Sequence, residues 1–553
     1  MKSSLHWLRW IFPGILLLPL LAGVVGTFLS SFNLFFFQKN LQILESWTRL
    51  WEHPSTWPAL WLSLRTAVTA TLLSLLGSGL ILSVWQSNFR RHWLGRGLIL
   101  PLALPHATAA IILVLLLAPS GWLWRLFATS NSLPAEFPFP HDTAGWALVF
   151  GLVTKELPFL LLIQINICRQ LPELARVQTA QLLGQPPWLG WWLTVFPAVY
   201  QQIRLPLWAV LAFSFGVIDM ALILGPTAPP TFSVLILQWA TDPMLEQQAL
   251  AAAGSLLQGI ILLILLICWW SVEQVIRVLP QVSIRLWSLH KIKKLFNQIA
   301  WSIVFSGIIL LCSGITCLLL WSLARRWSFP AGLPTDWTLR TWKQNSAELV
   351  PLLETTAGLG MAAAAIGLLL VMIWLYFQQQ PNSDSGLAQE WWVYLPLILP
   401  QLTFLFGIQI LAIFLRLEGT LLLVLWLHLV YVLPYTLLLL AEPWRTNQSR
   451  FRRVGQLLGQ SAWRILWSVQ LPLLRPLLLM TLAIGFSVSL AQYLPTIFAG
   501  AGRWSTLTTE AVSLASGQDR RLLSLLGIWQ SFLPALALSV AWLLRGPAWQ
   551  KNF

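Results

Sequence analysis

QLLGQPPWLGWWLTVFP, residues 181–197, returns later in the chain as QLLGQSAWRILWSVQLP, residues 456–472. Eight of the seventeen positions are identical: Gln181, Leu182, Leu183, Gly184, Gln185, Trp188, Trp192 and Pro197 against Gln456, Leu457, Leu458, Gly459, Gln460, Trp463, Trp467 and Pro472. The copies lie 275 residues apart in a chain of 553, so the protein reads as two related halves. Each copy stands in a basic stretch just ahead of a long apolar run.

The setting of the repeat is a membrane. The chain is 57% hydrophobic and 10% charged, with a mean hydropathy of +0.71. Apolar runs of about 20 residues, enough to cross a hydrocarbon layer as helix, recur along its whole length. Backbone groups cannot stay unpaired in lipid, so these runs are helices, and the alternation of a barrel strand is absent. The 35 tryptophans, many at the ends of the runs, fit interfacial anchoring. A net charge of +15 without a basic-aromatic module clear of the apolar runs argues against nucleic acid and for membrane topology. Cys168, Cys268, Cys312 and Cys317 lie in or beside apolar runs with no CxxC pair or metal spacing, and read as packing residues. Lys2 and Arg9 ahead of residues 11–28 resemble a signal peptide, but the length of the run and the polytopic remainder favour an uncleaved first span.

Twelve spans are predicted, near 11–31, 59–85, 97–118, 143–165, 205–226, 249–270, 301–323, 346–377, 391–414, 420–440, 475–498 and 523–544. With the N-terminus inside, cytoplasmic segments carry 21 of the 34 Lys and Arg and external ones 11, which sets both termini in the cytoplasm. The expected fold is an all-α membrane protein with two parallel six-helix halves related by an axis along the membrane normal. The first half covers 1–270 with its loop at 175–200, and the second covers 301–553 with its loop at 450–475. A basic cytoplasmic connector, 271–300, joins them and suits contact with anionic lipid headgroups. Both copies of the pattern then face the cytoplasm.

The repeat extends further. LPLALP at 100–105 matches LPLILP at 395–400, and Pro158 corresponds to Pro434. Phe213, Ser214 and Asp219 pair with Phe486, Ser487 and Gln492, and Leu64-Arg65-Thr66 with Leu353-Glu354-Thr355.

Each copy of the pattern implies a helical turn closed by glycine, then a stretch with two Trp at i, i+4, then a proline opening the next span. Two short amphipathic helices on the inner membrane face result, with one flank free; the plain alternative is a loop anchor. The arrangement resembles the EAA loop of binding-protein-dependent ABC importer permeases, E-A-A-x3-G-x9-I-x-L-P. The matching positions are Gln178, Thr179, Ala180, Gly184, Thr194, Phe196 and Pro197, and Arg453, Val454, Gly455, Gly459, Val469, Leu471 and Pro472. Glycine and proline keep the spacing, while Gln178 and Arg453 replace the acidic residue. The chain looks closest to the fused double-permease branch that includes thiamine and ferric-iron importers. That resemblance implies a bacterial inner-membrane permease, not an enzyme, whose loops dock on a separate ATPase subunit, expected as a homodimer that holds the ATP and Mg. It also implies a separate extracytoplasmic binding protein. The chain has no phosphate-cradling G-x-x-x-x-G-K-[ST] of its own.

Ionisable residues inside spans are costly and call for partners. Arg65 snorkels outward or meets its repeat counterpart Glu354 across the two halves. Lys155 and Glu156 either line a pathway or satisfy each other and nearby carbonyls. Asp219 is a one-sided pathway candidate, because Gln492 is neutral, or else bonds to a neighbouring helix. His106 reads as a packed polar residue rather than a metal ligand. Two rivals are a twelve-span secondary transporter of major-facilitator type and a membrane-embedded enzyme. The first does not account for the duplicated loops, and its expected loop, residues 86–96, is basic but lacks Asp; the second lacks converging catalytic groups.

Overall fold

The computed structural model describes residues 10–34, 44–85, 97–129, 139–278, 290–378, 387–515, 517 and 519–544. Residues 86–96, part of the predicted connector (279–289) and both extreme termini lie outside them. Ten described helices are long and apolar enough to cross a membrane, and a bent pair supplies an eleventh. The twelfth position in the repeat is held by Phe196–Gly216, whose 21 residues reach about 31 Å at 1.5 Å per residue. The predicted fifth span, 205–226, is displaced accordingly: helix begins earlier, breaks at Val217-Ile218 and resumes as Asp219–Leu224. The strands among the described residues, Ala324–Arg326 and Asp336–Trp337, form one small antiparallel pair.

Both LPLxLP segments break their span. Helix Ile99–Ala103 stops at Leu104 and restarts at His106; Leu395–Ile398 stops at Leu399 and restarts at Gln401. The residue before each second proline is extended, with ψ of 132° at both Leu104 and Leu399. The proline ring crowds the preceding residue out of helical geometry, so the duplicated sequence gives a duplicated break. In the second half the two pieces meet at 85°.

The leading helix of each half bridges the two halves, resting on the last helix of its own half (Leu245–Val278 or Arg520–Leu543) and reaching into the other. Ile11–Ser31 packs against Gln401–Phe414, and His290–Leu323 packs against His106–Leu117. Small residues allow the first crossing: a Cβ at Gly407 would drive into the backbone of Gly23 and Thr27, and one at Gly23 into that of Phe404. Thr27 Oγ1 accepts the Gly407 amide at 3.0 Å across this seam, a contact open only where helices approach this closely. The buried Arg125 stacks over Trp321 at 5.4 Å and Trp327 at 5.1 Å and donates to Trp327 and Ser328 carbonyls, clasping the first half to the second.

Paired hydrogen bonds give the repeat a structural register. Ser63 Oγ accepts the Phe232 amide and Thr356 Oγ1 the Leu507 amide, both at the first residue of a short helix. Ser233 Oγ donates to Phe215 O, and Thr508 Oγ1 to Leu490 O. The offset is therefore 275 from the QLLGQ pattern through Thr231 and Thr506, and 293 in the second span. The expected correspondences in these spans change: Phe213 and Ser214 align with Val488 and Ser489 rather than Phe486 and Ser487, and Leu64 and Thr66 with Ala357 and Leu359 rather than Leu353 and Thr355. Asp219 pairs with Leu494, not Gln492, and Arg65 with Gly358, not Glu354.

Candidate functional site

The two loops begin alike. In the first, helix Glu173–Leu182 ends where the Gln185 amide donates to Ala180 O at 3.0 Å; in the second, the Gln460 amide donates to Gly455 O at 2.9 Å. These six-to-one bonds close the helix end through a glycine in the left-handed region, Gly184 at φ 81° and Gly459 at φ 73°. The turn leaves two leucines outward in each loop: Leu182 and Leu183 are 89% and 77% exposed, Leu457 and Leu458 87% and 72%.

A second arm follows each turn. Pro187–Gly190 runs into a π-turn, Trp191–Val195, and Ala462–Ile465 into Leu466–Gln470. Pro197 and Pro472 come second in the next helices and offer no N–H. The amide just before each proline then reaches back five residues, Phe196 to Trp191 O and Leu471 to Leu466 O. The arms touch where the motif calls for a small residue. A Cβ at Gly190 would lie 2.9 Å from Ala180 Cβ, and one at Gly455 2.5 Å from Ile465 Cδ1. Ala180 with Gly190 and Gly455 with Ile465 are the same pair at the 275 offset, with the space divided differently. Gln178 and Thr179 are exposed, and Arg176 ties the arms by donating to Thr194 O at 3.1 Å. The side chains of Arg453 and Val454 lie outside the described part.

The loops differ in two respects. The first arm of the second loop is not a separate helix but the end of the 37-residue Leu421–Leu457. Pro172 interrupts the first half between Gln170 and Glu173, whereas the 275 offset places Asn447 there. Burial of the paired tryptophans also differs: Trp188 is 3% exposed against 60% at Trp463, and Trp192 is half-buried against 57% exposed at Trp467. Trp192 lies over Gly79 of Thr56–Val84, whose counterpart at the 293 offset is Met372.

From the first loop a polar link reaches the last span of its half. Tyr200 donates to Glu273 Oε1 at 2.7 Å and accepts from Trp269 Nε1 at 2.9 Å, while Arg204 Nε lies 3.4 Å from Glu273 Oε2. Helix Phe196–Gly216, which continues the loop, is thereby fastened to Leu245–Val278.

At mid-span the structure gathers Lys155, Glu156, His106 and Asp219. Lys155 Nζ donates to Pro101 O at 2.8 Å and Leu104 O at 2.5 Å, supplying donors to carbonyls freed by the LPLALP break. His106 Nε2 stands 3.5 Å from Glu156 Oε1, and its ring lies 4.6 Å from that of Phe213. Asp219, half-buried at the restart after Ile218, is within electrostatic reach of His106 and Lys155. Two second-half tyrosines lie within electrostatic range of the group, Tyr435 of Glu156 and Tyr493 of Asp219. Sequence reasoning passed over both, although the chain has only six tyrosines. The expected Arg65–Glu354 contact is absent: Arg65 donates to Ala144 O, Glu354 is exposed, and no ion pair joins them. Their displaced register is the reason.

No family model matches the chain. The chain is 30% identical over 548 residues to the inner membrane ABC transporter permease protein YnjC of Escherichia coli K12, covering 97% of this chain and 95% of that protein. A shorter likeness, 28% over 211 residues, covers 36% of this chain and 76% of PhnV of Salmonella typhi, named as a 2-aminoethylphosphonate transport system permease protein.

Proposed function

The chain belongs to the inner-membrane ABC transporter permeases, in the branch that fuses two permease halves, and from that premise we propose that its two cytoplasmic loops couple it to a separate ATPase that drives solute import. The observation that carries the proposal is the pair of glycine-closed turns. Two independent stretches of chain reach the same six-to-one closure and present the same exposed leucine pair. Exposed leucines beside a fixed turn suit a hydrophobic socket on a partner, since their ordering cost is already met by the fold. With two such tips, the partner expected is a dimeric ATPase holding ATP and Mg at sites of its own.

Movement of a loop would reach the spans along its second arm, which runs without interruption into Phe196–Gly216 or Leu471–Leu490. In the first half the Tyr200–Glu273–Arg204 link carries it on to the last span. The solute would pass the group of Glu156, Asp219 and His106, with Tyr435 and Tyr493 of the second half within electrostatic range of the two carboxylates. Lys155 acts there as a structural donor. A separate extracytoplasmic binding protein would deliver the solute.

The test is co-purification of the chain with an ABC ATPase and ATP hydrolysis by the reconstituted pair. Association that is lost when Leu182, Leu183, Leu457 and Leu458 are all changed to Ser supports the reading. Undiminished association and coupling in that variant would overturn it.

A further inference from the structure

The span that follows the second loop is broken, and one side chain holds both of its pieces. Leu471–Leu490 ends and Leu494–Gly500 begins after residues 491–493. His428, on Leu421–Leu457, sets its ring between them. Nδ1 lies 2.7 Å from Ser489 Oγ on the first piece, and Nε2 3.0 Å from Thr496 Oγ1 on the second. All three side chains are buried. The hydroxyl proton of Thr496 goes to Gln492 O at 3.1 Å, so toward the ring its oxygen accepts. Nε2 is therefore the donor to Thr496.

The first half shows the same place without the ring. At the 276 offset of the Pro158 and Pro434 pair, His428 falls on Leu152; at 275, Ser489 and Thr496 fall on Ser214 and Ala221. Ser214 Oγ is buried and finds no hydrogen-bond partner among the described residues. The imidazole is thus an addition of the second half, not part of the packing common to both. Its position is specific. Leu421–Leu457 carries the first arm of the second loop and Leu471–Leu490 continues the second arm, so His428 joins the two helices that leave that loop. Tyr435 lies seven residues further along its own helix, and Tyr493 lies in the break that it spans.

We infer that His428 is a positioning residue: it fastens both pieces of the broken span to the helix running from the second loop, so that the loop, Tyr435 and Tyr493 move as one body. Two hydrogen bonds to one buried ring set the break against its neighbour, where apolar contact alone would let the short piece shift. The first half fastens its loop helix elsewhere, through Tyr200 and Glu273. The transmitted movement rests on the loops being driven by an ATPase, so one arm of the test omits that partner.

Hydrogen exchange of the full chain in lipid nanodiscs, read by mass spectrometry, tests this. Without ATPase, His428→Leu, which installs the first-half side chain, should speed exchange across 491–500 about tenfold and leave the corresponding Asp219–Leu224 unchanged. His428→Gln, which keeps a donor for Thr496, should stay nearer the parent. Parent-like exchange in the leucine variant overturns the inference, and so does an equal rise across Asp219–Leu224. If the leucine variant does not fold, Thr496→Val removes the far bond alone and is read in the same way. With the ATPase bound, trapping by ATP and vanadate should alter exchange at both 456–460 and 491–500 in the parent, but only at 456–460 in the leucine variant. A change at both places in that variant overturns the inference. An ATPase that does not bind refutes the coupling reading instead, and the first arm then decides.

Discussion

Replacing Gly184 and Gly459 together by alanine isolates the turn on which the coupling proposal depends. Both glycines sit in the left-handed region, at φ 81° and 73°, and a Cβ at either would meet nothing within 4 Å. Steric overlap therefore contributes nothing, and the cost is that of the backbone conformation alone. For an L-residue it is about 1–2 kcal/mol per position. At 1.4 kcal/mol per tenfold, the closed turn loses about 5- to 30-fold in population at each loop, and a partner that reads the closed turn loses affinity in proportion. Gly502 provides the control, with φ 75° and open space around its Cβ, after helix Leu494–Gly500 and far along the chain from either loop. Gly502→Ala carries the same backbone cost and should leave coupling unchanged. Asparagine, which tolerates this region better than alanine, should restore part of the affinity when placed at both loops. The assay is titration of the ATPase onto the reconstituted permease, followed by solute-stimulated ATP hydrolysis. If the double alanine variant binds as tightly as the parent, or if Gly502→Ala weakens binding equally, the reasoning fails.

Lys155→Met should lower stability by about 1–3 kcal/mol, because the Pro101 and Leu104 carbonyls lose their buried donor. Thermal unfolding measures it, and an unchanged midpoint with altered solute selectivity would return Lys155 to the pathway. Gly407→Ala should abolish monodisperse protein, since its Cβ enters the backbone of Gly23 and Thr27, whereas Gly14→Ala, in open space, should behave as the parent in size-exclusion chromatography. Ser63→Ala and Thr356→Ala should each cost about 1–3 kcal/mol in thermal unfolding, because each leaves a buried amide at the start of a short helix without an acceptor. The charge exchange Arg65→Glu with Glu354→Arg should restore nothing that the single changes lose in transport activity. Recovery in the double variant would contradict the register set by those amide contacts.

Much of the site was legible because it rests on local rules. A glycine after a helix, a proline opening the next, and the small residue at Ala180 or Gly455 act within a dozen residues, and the duplication marked them. LPLALP and LPLILP announced two breaks for the same reason: a proline restricts its immediate neighbour. Matching side chains one by one was less dependable. In apolar spans many alignments put Ser beside Phe or a charge near a gap, so Asp219 was set against Gln492 and Arg65 against Glu354. Tyr435 and Tyr493 carried no local signal, since they come within electrostatic range of Glu156 and Asp219 only once the two halves are packed.

By itself the sequence determined that the chain is helical and membrane-spanning, that it is doubled, and where its two loops lie. Hydropathy, backbone pairing in lipid and the turn preferences of glycine and proline all act over short stretches. Tertiary structure decided the rest. The first leading helix reaches the opposite half because Gly23, Gly26 and Gly407 let two backbones touch, a fit that no one stretch of sequence displays. It also decided that Lys155 serves the broken span, since the carbonyls it reaches lie 51 and 54 residues away. Close approach between distant segments depends on the shape of both surfaces at once, and only the folded chain brings them together.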